Sequence, residues 1–222
     1  MTSRELYYEF QLILNKNATN ANINQEVGNF VWLFNRESRK WLNDFVQKSS
    51  ATSLALNIQE LLEINPKLDI AVEEEGYVMY HLPSNYCHFV SSSSRGKREE
   101  CELLIENFVK RPKALNTELI DLYSSQSFDF EESLCNIVGK KLQVFKRDYN
   151  IIDTYLSYYK LVDKIDIEGT QNADGSYSKD VDIDLSDTLA HEIIDRVVLE
   201  VLREFENTGA YQLGESRKSA NS

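Results

Sequence analysis

Apolar residues recur every third or fourth position at both ends of this chain and every second position through much of its middle. The clearest case is Leu189, Ile193, Ile194, Val197, Val198, Val201, Leu202 and Phe205, which share one face of a helix. The opposite face carries Glu192, Asp195, Arg196, Glu200, Arg203 and Glu204. Of its i,i+4 pairs, Glu192–Arg196 attracts and Glu200–Glu204 repels, so charge adds little net support. Asp184, Ser186 and Asp187 are capping candidates at the start, and Gly209 is a stop signal. Each buried side chain of that stripe contributes roughly 1.5–3 kcal/mol before ordering costs. Such a face needs a dock.

The other end of the chain offers one. Thr2-Ser3-Arg4-Glu5 has capping-box spacing, and Leu6, Phe10, Ile13 and Leu14 form a stripe ending near Asn15. A polar Asn-rich linker, Asn15–Asn24, follows. A longer helix is predicted from about Gln25 to Gln47, with Val27, Phe30, Val31, Phe34, Trp41, Leu42 and Phe45 on one face and Ser38 on the same stripe. Two N-terminal helices and one C-terminal helix make a minimal bundle if the chain ends meet.

Between them the period changes to two. Leu68–Val72 alternates, Glu73-Glu74-Glu75-Gly76 reads as a turn, and Tyr77–Leu82 returns until Pro83. Tyr86–Ser92 is a further strand, and Ser91–Ser94 with Arg95-Gly96-Lys97 reads as a loop tip. Cys101–Val109 is ambiguous between strand and helix. Ser133–Val138, Lys141–Arg147 and Ile151–Lys160 are strand-like, broken at Gly139-Lys140 and Asp148-Tyr149-Asn150, which suggests a meander. The expected class is α+β: a small helical bundle of N-terminal helices and a C-terminal helix, with a central antiparallel β-rich region. The expected parts are an N-terminal helical part at 1–64, a β-rich region at 65–180, a C-terminal helix at 181–207, and a flexible or partner-docked tail at 208–222.

Composition places this pattern in a folded protein. Hydrophobic residues at 42% and aromatics at 11% suffice for a core. The first residues lack the basic and apolar runs of a signal peptide, and no apolar run is long enough to span a bilayer. Cys87, Cys101 and Cys135 are widely spaced without a CxxC pair, as expected of idle thiols in a reducing compartment. A net charge of −12 argues against a domain dedicated to grasping nucleic acid. The basic clusters, Arg95–Arg98, Lys110–Lys113, Lys140-Lys141 and Lys146-Arg147, suit solvated loops and strand edges. An acidic ring could instead let DNA slide through without sticking.

Candidate chemistry is thin. His191-Glu192-Ile193-Ile194-Asp195 begins like HExxH, with Asp195 where the second imidazole belongs, so His191 and Asp195 could share a metal on a helix face. A solvated helix face accounts for the same residues. Asp180, Asp182 and Asp184 alternate near Asp174-Gly175, but the glycine and terminal glutamate of a calcium loop are out of place. His81 and His88 have no serine, cysteine or carboxylate at a catalytic spacing. No P-loop, dinucleotide fingerprint or nucleophile elbow occurs. The expectation is a protein that is not an enzyme and carries no cofactor or metal.

The order TSRELYYEFQLILNK, VGNFVWLFNRESRKWL, YLSYYKLVDKIDIEG and DIDLSDTLAHEIIDRVVLEVLRE resembles the ring or head–tail connector proteins of crAss-like phages. The similar elements are the early amphipathic helix pair, a Tyr-Tyr-Lys…Ile-Asp-Ile strand and an Asp-Leu-Ser-Asp entry to a closing helix. The resemblance implies a virion structural subunit between portal and tail, assembled in the host cytoplasm. It implies a twelvefold ring of this chain, with portal and tail or ring proteins as partners, DNA only as cargo in the channel, and no membrane. The plan is similar to that of the tail-tubular gatekeepers of short-tailed phages.

Three segments stand out as able to order against neighbours: Asn15–Asn24, the Gly169–Lys179 loop, and the tail after Glu206. Their interface candidates are Asn172, Asp174, Tyr177, Tyr211 and Leu213. Mobility alone explains the same segments. Two other classes remain open, an intracellular regulatory or scaffolding protein and a metal-dependent hydrolase using His191, Asp195 and Asp180–Asp184.

Overall fold

The computed structural model describes residues 1–17, 24–48, 58–109, 128–129, 131–170 and 175–220. They form two compact units, one from residues 1–60 with 162–222, the other from residues 61–161.

Among the described residues the first unit is built on three helices: α1 (Ser3–Asn17), α2 (Val27–Lys48) and α3 (Asp187–Ala220). The capping box forms as the spacing requires. The Thr2 amide donates to Glu5 Oε2 (2.7 Å) and the Glu5 amide donates to Thr2 Oγ1 (3.2 Å). At the start of α3, Ser186 is the cap, its carbonyl accepting from Ala190 N–H (3.0 Å). Glu60 holds it there, accepting from both the Ser186 amide and hydroxyl (2.7 Å each). Both α1 and α2 pack on α3. Leu6, Phe10 and Leu14 are buried, as are Phe30, Phe34, Trp41 and Leu42, and Leu189 through Val201 along the predicted stripe. Leu33 joins them. The stripe of α3 fades at its end: Leu202 is half-buried and Phe205 is exposed.

Charged residues tie helix to helix rather than stabilising α3 alone. Glu192 accepts from the Trp41 indole N–H (3.1 Å), Arg196 pairs with Asp44 (3.0 Å), and Glu200 pairs with Arg36 (2.9 Å). Charges at the rim of the apolar contact thereby favour one set of neighbours.

The second unit is an eight-stranded sheet. Its strands are β1 (Leu62–Glu63), β2 (Ile70–Glu73), β3 (Tyr77–His81), β4 (Tyr86–Arg98), β5 (Cys101–Val109), β6 (Glu132–Val138), β7 (Lys141–Phe145) and β8 (Asn150–Lys160). Their order is β1-β8-β4-β5-β6-β7-β3-β2. The first and last members are consecutive in the chain. Between them, Leu68 N–H bonds Thr154 O (2.9 Å) and Leu156 N–H bonds Pro66 O (3.1 Å), so the segment leaving β1 stays on β8. One residue on, His81 N–H bonds Asp69 O (2.9 Å), so the same segment reaches β3. Residues 62–73 therefore close the sheet on itself as a barrel, which removes its open edges. Three register shifts between β4 and β8 supply local bending.

The barrel interior is apolar with one polar seam. Val78, Tyr80, Ile105, Cys135, Leu142, Val144, Leu156 and Tyr158 form the core with Phe128 and Tyr149. Within the unit, the Asn107 amide donates to Ser92 Oγ (3.0 Å) and Ser94 Oγ (2.8 Å), and Ser94 Oγ meets Thr154 Oγ1 at 2.8 Å. Ser92 Oγ donates on to Tyr155 O (2.9 Å). The hydroxyls of Ser92, Ser94 and Thr154 are tolerated because each has found a partner, whereas the Tyr80 hydroxyl and the Asn107 Oδ1 are buried without one among the described residues.

Several sequence expectations need correction. Residues 91–97 are not a loop tip but the second half of β4. The serines there mimic a loop composition, yet Ser92 and Ser94 face inward and bond across strands. The last three strands do not form a meander: β6 and β7 pair, but β8 lies between β1 and β4, because β3 already occupies the far edge of β7. The region is not wholly antiparallel, since β5 and β6 run parallel. The helix does not stop at Gly209. A single glycine costs a helix only about 1 kcal/mol relative to alanine, and Ala210, Gln212, Leu213, Glu215, Arg217 and Lys218 around it are helix formers. Residues 162–185 cluster with the helices, where the Asn35 side chain brackets Ile165 by bonding its carbonyl and its amide (2.9 Å each).

Candidate interface surfaces

The acidic segment before α3 is consumed in docking α1. Asp182 Oδ1 accepts from the Ser3 amide (2.8 Å), one of the orphan donors of the helix start. Asp180 accepts from the Glu168 amide (2.7 Å) and pairs with Arg4 (2.9 Å), while Arg4 also reaches Glu168 (2.7 Å). The Glu168 amide, with Arg4 beside it, holds the Asp180 carboxyl below its ordinary range. The alternation of aspartates is thus spent on a backbone cap and an arginine.

His191 is likewise committed between helices. Its Nε2 lies 2.6 Å from Glu9 Oε1 and its Nδ1 contacts the Asp187 carbonyl oxygen. That carbonyl, helped by Glu9, raises its pKa above the ordinary imidazole value. Asp195 is exposed on α3. Among the described residues no three His, Cys, Asp or Glu side chains gather as a metal site. In the barrel, burial lowers the pKa of His88 and raises that of the Cys135 thiol to about 12. Cys87 is half-buried and Cys101 exposed.

The loop candidates fall out unevenly. Asn172 and Asp174 lie outside the described residues, as do the linker positions 18–23 and the basic run Lys110–Lys113. Tyr177 is 73% exposed, on a loop whose ends are fixed. Two rungs join them across the base: the reciprocal Asp166–Val181 backbone bonds (3.2 and 2.9 Å) and, nearer the tip, Ser178 N–H to Thr170 O (2.9 Å). Tyr211 and Leu213 sit on helical backbone rather than on an extended tail.

The most distinctive surface was not singled out from sequence. Along the outer side of α2 runs a groove of about 630 Å³ lined by Trp32, Arg36, Arg39, Lys40 and Lys164. Trp32 is 58% exposed, and the Arg36 guanidinium lies 4.6 Å from its ring centroid. Arg36 and Lys40 share the Glu37 carboxylate at 2.9 and 2.8 Å. Arg39 and Lys164 have no ionic partner among the described residues. Among the described lining residues the one acid, Asp166, turns its carboxylate to Thr170 Oγ1 (2.7 Å) and the Ile167 amide (2.9 Å). A sequence signal existed in Trp32, Arg36, Arg39 and Lys40 at helical spacing, but Lys164 is distant in the chain.

Other apolar surface is present on both units. Tyr8 and Leu12 stand one turn apart on α1, 67% and 73% exposed. On β5, Leu104 and Phe108 are exposed on the outer face. The basic runs of the barrel are mostly paired: Arg95 with Asp153, Arg98 with Asp129 and Asp148, and Lys146 with Glu73.

No protein-family model matches the chain, and no curated protein matches it. Among the described residues, no helix is long and apolar enough to cross a membrane.

Proposed function

We propose that this chain is a virion structural protein, a ring-forming subunit of a phage portal–tail connector that joins capsid to tail around the DNA exit channel. The observation that carries the reading is the presence of two separately cored units with unlike surfaces on one chain. A helical unit presents an aromatic and cationic groove, and a closed barrel presents exposed apolar side chains such as Leu104 and Phe108. A closed ring needs two different, complementary patches per subunit, because its contacts run head to tail. The resemblance in element order to connector proteins of crAss-like phages supports the same assignment. On this reading the portal and the tail or ring proteins are the partners, and DNA passes as cargo past a chain of net charge −12.

Co-expression with the portal and tail proteins of a crAss-like phage tests the assignment. The expected result is a stable co-purifying assembly containing several copies of this chain. A chain that stays apart from every such protein contradicts the assignment and favours a regulatory or scaffolding role.

A further inference from the structure

The α2 groove is a cationic site on a strongly acidic chain, with an exposed indole at one end. Its natural occupant is a segment carrying carboxylates at a tip and apolar side chains behind them. One such segment is part of this protein. The turn between β2 and β3 is Glu73-Glu74-Glu75-Gly76, closed by Glu74 N–H to Tyr77 O (2.9 Å). Glu73 is held by Lys146 (2.7 Å). Glu74 and Glu75 are exposed and have no ionic partner among the described residues. Behind them on β2, Ile70 and Val72 are 52% and 37% exposed.

The two features match in charge and in the order of their side chains. Trp32 and Arg39 lie seven residues apart on α2, a rise of about 10 Å on the same face, so the groove has an aromatic end and a cationic end. The hairpin has the same polarity, with Val72 on β2 and Glu74 and Glu75 in the turn beyond it. A hairpin entering the groove turn first can therefore set Glu74 and Glu75 among Arg39 and Lys164 with Val72 toward the indole.

The geometry points to the β2–β3 hairpin of a second copy of this chain as the occupant of the α2 groove. The inference rests on the ring reading above and specifies its contact. The contact is heterologous, because groove and hairpin are different surfaces, so it propagates from copy to copy. Nucleic acid would use the same cations and an aromatic platform, but it must approach a chain of net charge −12.

Reciprocal charge reversal tests it. The full-length protein, R39E/K164E, E74K/E75K and the combined four-residue variant are compared by sedimentation velocity over a range of concentrations. All four positions are exposed, and circular dichroism verifies the fold. Each two-residue reversal is expected to weaken self-association about tenfold or more, and the combined variant to recover most of the loss. Self-association unaltered by either reversal overturns the hairpin assignment while leaving the ring reading standing. So does a loss of single-stranded oligonucleotide binding in R39E/K164E with self-association intact. A wild-type protein that remains monomeric at every concentration overturns the hairpin contact, and it overturns the ring reading as well only when the chain stays monomeric beside a portal protein too.

Discussion

Replacing Gly96 by alanine gives a sharp test of the barrel. Gly96 lies in β4 opposite Leu103 of β5 and Ile151 of β8. A Cβ built on it would fall well inside van der Waals contact of Ile105 Cδ1 and 3.0 Å from Tyr149 Cδ2. Ile105 is fully buried and Tyr149 nearly so, with its hydroxyl bonded to Phe145 O (3.3 Å). Neither can give way without disturbing a close-packed core, and overpacking of this kind costs about 1–3 kcal/mol. The substitution also restricts the unfolded chain, which offsets about 0.4–1 kcal/mol. The expected net loss for Gly96→Ala is about 1–2 kcal/mol. Ile105→Val removes the one atom that clashes most and costs about 0.5–1.5 kcal/mol alone. In the double variant the new methyl occupies the vacated space, so the two losses should not add, with a favourable coupling of about 1 kcal/mol. Gly76→Ala, where a Cβ meets nothing within 4 Å, is the control and should lie within about 0.5 kcal/mol of wild type. Urea titration read by hydrogen exchange in peptides spanning 92–107 reports on this unit directly, since both tryptophans are in α2. Gly96→Ala as stable as wild type, or strictly additive losses, would refute the packing argument and restore residues 91–97 to a loop.

Other consequences follow from the same coordinates. Ile193→Ala, at a fully buried position of α3, should destabilise the helical unit by about 2–5 kcal/mol. Leu199→Ala, on the exposed side of the same helix, should change it by less than about 0.5 kcal/mol, with tryptophan fluorescence as the readout. Asp153 bonds Lys67 and Arg95, each at 2.5 Å, and the Lys67 hydrogen bond leads in holding its carboxyl below the ordinary range despite burial. Its contribution to stability is therefore present above the unfolded carboxylate pKa and lost as pH falls through the depressed folded value. Asp153→Asn should flatten that acid limb in denaturation curves taken across pH. Cys101, exposed, should alkylate in the folded protein, whereas Cys135, buried and with its pKa raised to about 12, should react only on unfolding, as mass spectrometry of labelled peptides would record.

The helical unit was legible because its signals are local. The Thr2–Glu5 capping box and the stripes Leu6–Leu14, Phe30–Leu42 and Leu189–Val201 depend only on spacing, and each appears where the spacing puts it. Strand positions were legible for a similar reason, since alternation survives wherever one face is buried. Pairing was not, because register and neighbours are decided by residues far apart. Nothing near Ile151–Lys160 announces β4 as its partner, and nothing near Leu62–Glu73 announces that this segment closes a barrel. Serines misled where composition and environment part company: Ser92 and Ser94 belong to a buried seam only because Asn107 and Thr154 stand opposite. Gly209 misled because a stop signal is weaker than the helix-forming residues that flank it. The α2 groove needed Lys164, placed there by a turn of chain that periodicity does not describe. Asp180 and Asp182 had calcium-loop spacing without the loop's other residues, and the arginine and backbone amides they serve become visible only once α1 is docked.

The most direct test of the central claim is the native mass of the purified full-length chain, alone and with a portal protein, by mass photometry. The account predicts a discrete closed oligomer at an integer multiple of the 25.7 kDa subunit when formed by the chain itself, or at that multiple added to the mass of the portal when formed on it. A single 25.7 kDa species under both conditions, at all accessible concentrations, would contradict it.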